Sequence, residues 1–228
     1  MSRPHEDLQR HTLVDHRPGG AAVSFAPGAW CALEIAHVEA ARVDAGISAY
    51  ETLIEMARTS STGGRPAALL RSGDRRRVIA VVETGSHQAF GHIETAWGDR
   101  RLQAEHRAVA ESSSLALYRV VARVGEADID PAASDAYAFE RVACEPQRAR
   151  GLVPPLAAAP GFRGALVFGS DDALFSVVIY RFDQAAGLDA FRASPKAQAI
   201  LGAIGEGSDT FHPVRAVKTF SEASLREA

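Results

Sequence analysis

An α+β fold is predicted for this chain: two ferredoxin-like repeats in tandem, closed on each other as an intramolecular form of a dimeric α/β barrel. Three observations predict it. The segment Leu70 to Val124 matches the chain 96 positions further on, with Gly73 meeting Gly169, Val81 meeting Val177, Gln88 meeting Gln184, Gly91 meeting Gly187 and Arg119 meeting Arg215. Both halves give the same order of elements, β-α-β-β-α-β. One such unit leaves an apolar sheet face that its own helices do not cover, so two units must lay these faces together.

In the first half, Trp30 to His37 alternates as a strand, and Val43 to Arg58 has helical spacing through Ile47, Tyr50, Ile54 and Met56. Ser60 to Arg65 breaks it. Ala67 to Arg71 and Arg77 to Glu83 form a hairpin around Ser72-Gly73-Asp74. Ser86 to Ala96 and Arg100 to Glu111 are expected as helix, and Ser114 to Val124 as the closing strand. The second half repeats this with a strand from Tyr137 to Ala143 and a helix from Pro146 to about Ala158, which Pro154-Pro155 should break near its middle. A hairpin of Gly164 to Phe168 and Leu174 to Phe182 follows around Gly169-Ser170-Asp171. Gln184 to Phe191 and Pro195 to Ile204 are helical, and His212 to Phe220 is the last strand. A separate shift of 106 pairs Ala32 with Ala138 and Glu34 with Glu140, so the first helical region is the longer one. The expected organisation is a flexible arm over 1–20, unit 1 over 21–124, a linker over 125–135 and unit 2 over 136–228.

Composition excludes several classes. With 25 basic and 28 acidic residues, no long basic run and a net charge of -3, nucleic acid is not an expected partner. No apolar window is long enough for a membrane span, and Met1 to Gly20 carries charge where a signal peptide needs an apolar stretch, so a cytoplasmic protein is expected. Cys31 and Cys144 are far apart with no metal-ligand spacing, and read as reduced, buried small hydrophobes. No metal site is expected. Gly202 to Gly207 follows a helix and lacks the order of a phosphate-binding loop, so no tightly bound nucleotide is expected either.

The strand Val78-Ile79-Ala80-Val81-Val82, the helix ending at Trp97 and the stretch Pro160-Gly161-Phe162-Arg163-Gly164-Ala165 carry a resemblance to a known family. Over nearly all of Trp30 to Phe220 the chain resembles the antibiotic biosynthesis monooxygenase-like proteins of the dimeric α/β-barrel superfamily. A fused double unit is most similar to the tandem-repeat members that oxidise anthrones or open the B ring of angucyclines. The resemblance implies an oxygenase of aromatic polyketide tailoring, with molecular oxygen, a polycyclic aromatic substrate and no tightly bound prosthetic group. In the ring-opening members reduced flavin (FADH2 or FMNH2) is a diffusible co-substrate, which would make a flavin reductase a partner. A haem ligated by His37, His92, His106 or His212 is not favoured by any spacing. The rival reading is a non-redox cyclase or small-molecule-binding protein of the same fold.

Such an oxygenase needs a base to form the substrate anion and polar groups to stabilise the oxyanion or peroxide. The expected catalytic residues are His87, His92, Trp97, Arg101 and His106, which crowd one stretch of unit 1, while unit 2 has Asp183, Leu188, Ala193, Ala197 and Gly202 at the same shift. His87, near a helix start, also reads as a cap, and Trp97 also reads as core. Glu34, Tyr118, Glu140, Tyr180 and His212 are the candidates to touch substrate at the barrel centre. Glu34 and Glu140, each in mid-strand, are expected either in solvent or inside the barrel. Arg119 and Arg215 are expected to pair with acids at the barrel ends.

Overall fold

The computed structural model describes residues 19–60, 63–97, 109–205 and 209–221. Unit 1 contributes β1 (Trp30–Val38), α1 (Val43–Ser60), β2 (Ala67–Ser72), β3 (Arg77–Glu83), α2 (His87–Trp97) and β4 (Ala110–Gly125). Unit 2 contributes β5 (Ala136–Val142), α3 (Pro146–Leu152), β6 (Phe162–Ser170), β7 (Ser176–Phe182), α4 (Ala185–Ala193), α5 (Pro195–Gly205) and β8 (Asp209–Phe220). As the paired prolines demand, α3 stops before Pro154, and a 3-10 turn runs from there to Ala158. The helix expected over 100–111 is corrected at its end, where Ala110 and Glu111 begin β4; positions 100–108 lie outside the described residues.

Eight strands close in the order β1-β3-β2-β8-β5-β7-β6-β4, each antiparallel to its neighbours. A step of four places around this ring carries β1 to β5, β3 to β7, β2 to β6 and β4 to β8, which is the tandem repeat written in space. The long β4 joins the halves: its first part pairs with β1 and its last part with β6. In the same way β8 pairs with both β5 and β2. Closure removes every sheet edge.

Register corrects the repeat in one place. Glu34 stands opposite Ala80 and Glu140 opposite Val178, so the hairpins correspond two residues beyond the shift of 96, while β4 and β8 keep it. The turns agree: Ser72 donates to Asp74, and Ser170 to Asp172, in the same arrangement. An offset of two preserves the alternation of faces, which is why it leaves the apolar pattern unchanged.

Cys31, Leu33, Ile35, Leu70, Ile79, Val81, Tyr118, Phe139, Leu166, Phe168 and Ile179 fill the barrel. The opposite strand faces are buried as well, one under α1 and α2, the other under α3, α4 and the 3-10 turn. At the end where β4 finishes, Val23 pairs with Ile129 through two backbone hydrogen bonds of 2.9 and 3.0 Å, and with Phe25 and Ala127 they plug the barrel. The stretch 125–135 is therefore part of the core as well as a connection. Of the arm, Gly19 bonds to β8, and residues 1–18 lie outside the described chain. Among the described residues no helix is long and apolar enough to cross a membrane.

Candidate functional site

The plugged end leaves the other mouth of the barrel as the place where polar side chains converge. Along β1 the inward series Cys31, Leu33, Ile35 reaches His37 at the rim. Arg77, the first residue of β3, is its direct cross-strand partner. On β8, His212 continues the inward series of Ala216 and Val214. The hairpin turn is tied to that strand by a hydrogen bond from the Gly73 amide to the Pro213 carbonyl, 2.9 Å, which brings Arg77 against His212. A cleft of about 550 Å³ opens here, lined by His37, Asp74, Arg76, Arg77, Glu111 and His212.

Arg77 Nη1 lies 3.4 Å from His212 Nδ1 and 3.6 Å from Asp74 Oδ2. A guanidinium only donates, so His212 Nδ1 accepts, and the neutral ring carries its proton on Nε2 as a donor. Burial alone would raise the Asp74 carboxyl. The Ser72 hydroxyl, the Arg76 amide and the charge of Arg77 outweigh it and hold that carboxyl below its ordinary value. The wall of the cleft thus presents a fixed anion, a fixed cation, an oriented imidazole donor and a second imidazole at His37.

This cluster exists on one side only. The repeat places Ala143 at the position of His37, Phe175 at that of Arg77 and Ala116 at that of His212. The fold therefore does not need the three polar residues, since its other half closes with small or apolar ones.

The residues expected from sequence fall in different places. His87 opens α2 with an exposed side chain, its Nε2 3.3 Å from Asp171 Oδ2 and its ring edge-on to Trp30. His92 is exposed on the same helix. Neither lines the cleft. Trp97 ends α2, and Arg101 and His106 lie outside the described residues. His212 is in the cleft, and Tyr118 faces the barrel interior.

Glu34 and Glu140 are in neither of the two expected environments. Both point away from the barrel axis and are buried under helices, 4% and 3% exposed. Tyr50 of α1 donates to Glu34 Oε1 at 2.8 Å, whereas Tyr180 of β7 donates to Glu140 Oε2 at 2.8 Å. Burial pushes the Glu140 carboxyl up to about 6, against the Tyr180 hydrogen bond, and raises both tyrosines. These are packing pairs in the outer layers, so Tyr180 is also remote from the barrel interior. Arg119 donates to the Gly28 carbonyl and covers the Trp30 ring, and Arg215 is exposed opposite Arg71; neither meets an acid among the described residues. Cys31 is buried in the barrel, and burial raises its thiol.

Arg77, Asp74 and Glu111 were not expected. A signal for Arg77 was available: it heads the series Arg77, Ile79, Val81, which the hairpin pattern turns inward. Among the described residues no three His, Cys, Asp or Glu side chains are grouped to hold a metal ion.

No family model matches the chain, and no curated protein does. Solved structures do. An anthrone oxidase-like protein aligns over 88% of this chain and 96% of its own at 16% identity, with a TM-score of 0.68. A candidate monooxygenase from Fusobacterium nucleatum aligns over 86% and 96% at 10% identity, TM-score 0.60. A second, from Lactobacillus acidophilus, aligns over 86% and 97% at 8% identity, TM-score 0.56. At these identities the likeness is one of fold, and that fold is the tandem α/β barrel expected from the sequence.

Proposed function

We propose, from this shared fold and from the one-sided cleft, that the chain is an oxygenase of polycyclic phenols or anthrones in aromatic polyketide tailoring, using molecular oxygen. The observation that carries the reading is the cluster of His37, Arg77 and His212 around about 550 Å³, the volume class of a pocket for a small fused-ring ligand. His37 is the base that takes the acidic ring proton. Arg77 and the His212 Nε2–H are the donors that hold the resulting oxyanion. The anion gives an electron to oxygen and recombines with it as a carbon-bound hydroperoxide. Loss of the remaining C–H proton with cleavage of the O–O bond then leaves a new carbonyl and water. Substrate supplies all the electrons in this anthrone-to-quinone step.

Oxidative ring opening inserts one oxygen atom and reduces the other to water, so it needs two further electrons. Reduced flavin, as a co-substrate replenished by a flavin reductase, would supply them. The rival, a cyclase or binding protein of the same fold, predicts ligand binding without oxygen uptake.

The test is oxygen consumption and product mass with an anthrone and with an angucyclinone, each with and without reduced flavin. Uptake with quinone or ring-opened product supports the reading. Binding of either compound without uptake in any arm overturns it in favour of the rival. In the active arm, His37→Ala and His212→Ala should each lose about 10² to 10⁴ in turnover. His92→Ala should stay within a few-fold. The reverse pattern, with thermal midpoints unchanged, would move the site to α2.

A further inference from the structure

Beyond the cleft, a second set of side chains enters the same barrel mouth from unit 2. Arg141 is on β5, two residues past Phe139, and Phe139 is the cross-strand partner of His212. Phe139 faces the interior, so alternation turns Arg141 inward as well. Arg141 itself stands opposite Asp209 of β8, past a register shift between the two pairs. The Arg141 guanidinium lies over the Phe175 ring, 4.7 Å from its centroid, and donates to the Tyr118 hydroxyl, whose ionisation burial opposes and Arg141 favours.

Two features separate Arg141 from a structural arginine. It makes no ion pair among the described residues, and its Nε is buried with no hydrogen-bond partner. A buried donor left without an acceptor is costly, so a role outside the folded chain is called for. The matched position in unit 1 is Ile35, a packed core residue. The barrel accepts an aliphatic side chain at this place.

We infer that Arg141, with Tyr118 beside it, is a substrate-positioning residue that binds a carboxylate on the polycyclic ligand, at the end opposite the ring held by Arg77 and His212. The inference rests on the oxygenase reading of the cleft for the identity of the ring system. An arginine edge takes a carboxylate through two parallel hydrogen bonds, one from Nε and one from a terminal nitrogen. Phe175 holds the guanidinium plane, and the buried Nε is the donor of that edge that the folded chain leaves for the carboxylate. The selected substrate class is therefore acidic polycyclic aromatics rather than neutral ones.

The experiment is calorimetric binding of anthraquinone-2-carboxylate and of anthraquinone-2-carboxamide to the full chain, which requires no turnover. The wild type should prefer the carboxylate by about tenfold to a hundredfold, the range expected of a charge-assisted bidentate contact. Arg141→Ile, which copies the residue of the other repeat, should erase the preference and leave amide binding unchanged. Arg141→Lys, which keeps the charge but not the fork, should retain only part of it. Arg77→Met should weaken both ligands alike. Equal binding of the two ligands by the wild type, failure to bind the carboxylate, or a preference that survives in Arg141→Ile would overturn the inference. Absent oxygen uptake with an intact preference would overturn the oxygenase reading and leave this one standing.

Discussion

The Glu140 carboxyl is buried, 3% exposed, and is held by one hydrogen bond from Tyr180. Its native value is about 6 against an ordinary 4.5, with burial as the cause. That difference corresponds to about 2 kcal/mol of native-state preference for the protonated form. The sign follows from the raised value. Below about pH 4 the group is protonated in both states and contributes nothing. Between the two values the native state holds the proton more tightly, so stability falls as pH rises. Above the native value the full penalty applies. Glu140→Gln keeps an acceptor for Tyr180 and removes the charge. Urea unfolding of both proteins from pH 4 to pH 7.5 gives a difference in which the other titrating groups cancel. The variant should gain about 2 kcal/mol on the wild type across this range, with the rise centred between pH 4.5 and 6. A difference that stays flat to within about 0.5 kcal/mol would refute the reasoning, because the carboxyl would then titrate alike in both states.

Gly161 has a φ of 70°, and a Cβ there would run into the backbone of Gly187 at the start of α4. Gly161→Ala should therefore cost about 2–4 kcal/mol, whereas Gly91→Ala, in open space on α2, should be neutral or stabilising; equal unfolding midpoints for the two variants would remove the argument. Arg181 pairs with Asp135, whose side chain is 5% exposed, while Arg163 Nη1 is 3.7 Å from the same carboxylate. Arg181→Met should cost about 3 kcal/mol in chemical denaturation, and the double variant with Asp135→Leu should recover part of it. A single variant as stable as wild type would show that Arg163 alone satisfies the acid.

The sequence by itself determined the tandem repeat, the order of elements and the need for the two sheets to face each other. Period-two runs such as Val78 to Val82 and breakers such as Pro154-Pro155 act locally, and a local cause is readable without coordinates. The tertiary structure decided which face of each strand is which. In an ordinary half-exposed sheet an acid among apolar neighbours marks the wet face, but here both faces are buried, one in the barrel and one under helices. Glu34 alternates with Ala32 and Ala36 as readily as it interrupts Leu33 and Ile35, so its place beneath α1 needed the packing of Tyr50. The cluster of histidines around α2 was conspicuous in the sequence because its members are near one another along the chain. The cleft was not, because His37, Arg77 and His212 are brought together only when β8 of the second unit closes against β2 of the first, and a barrel's closing seam joins residues that no local pattern connects.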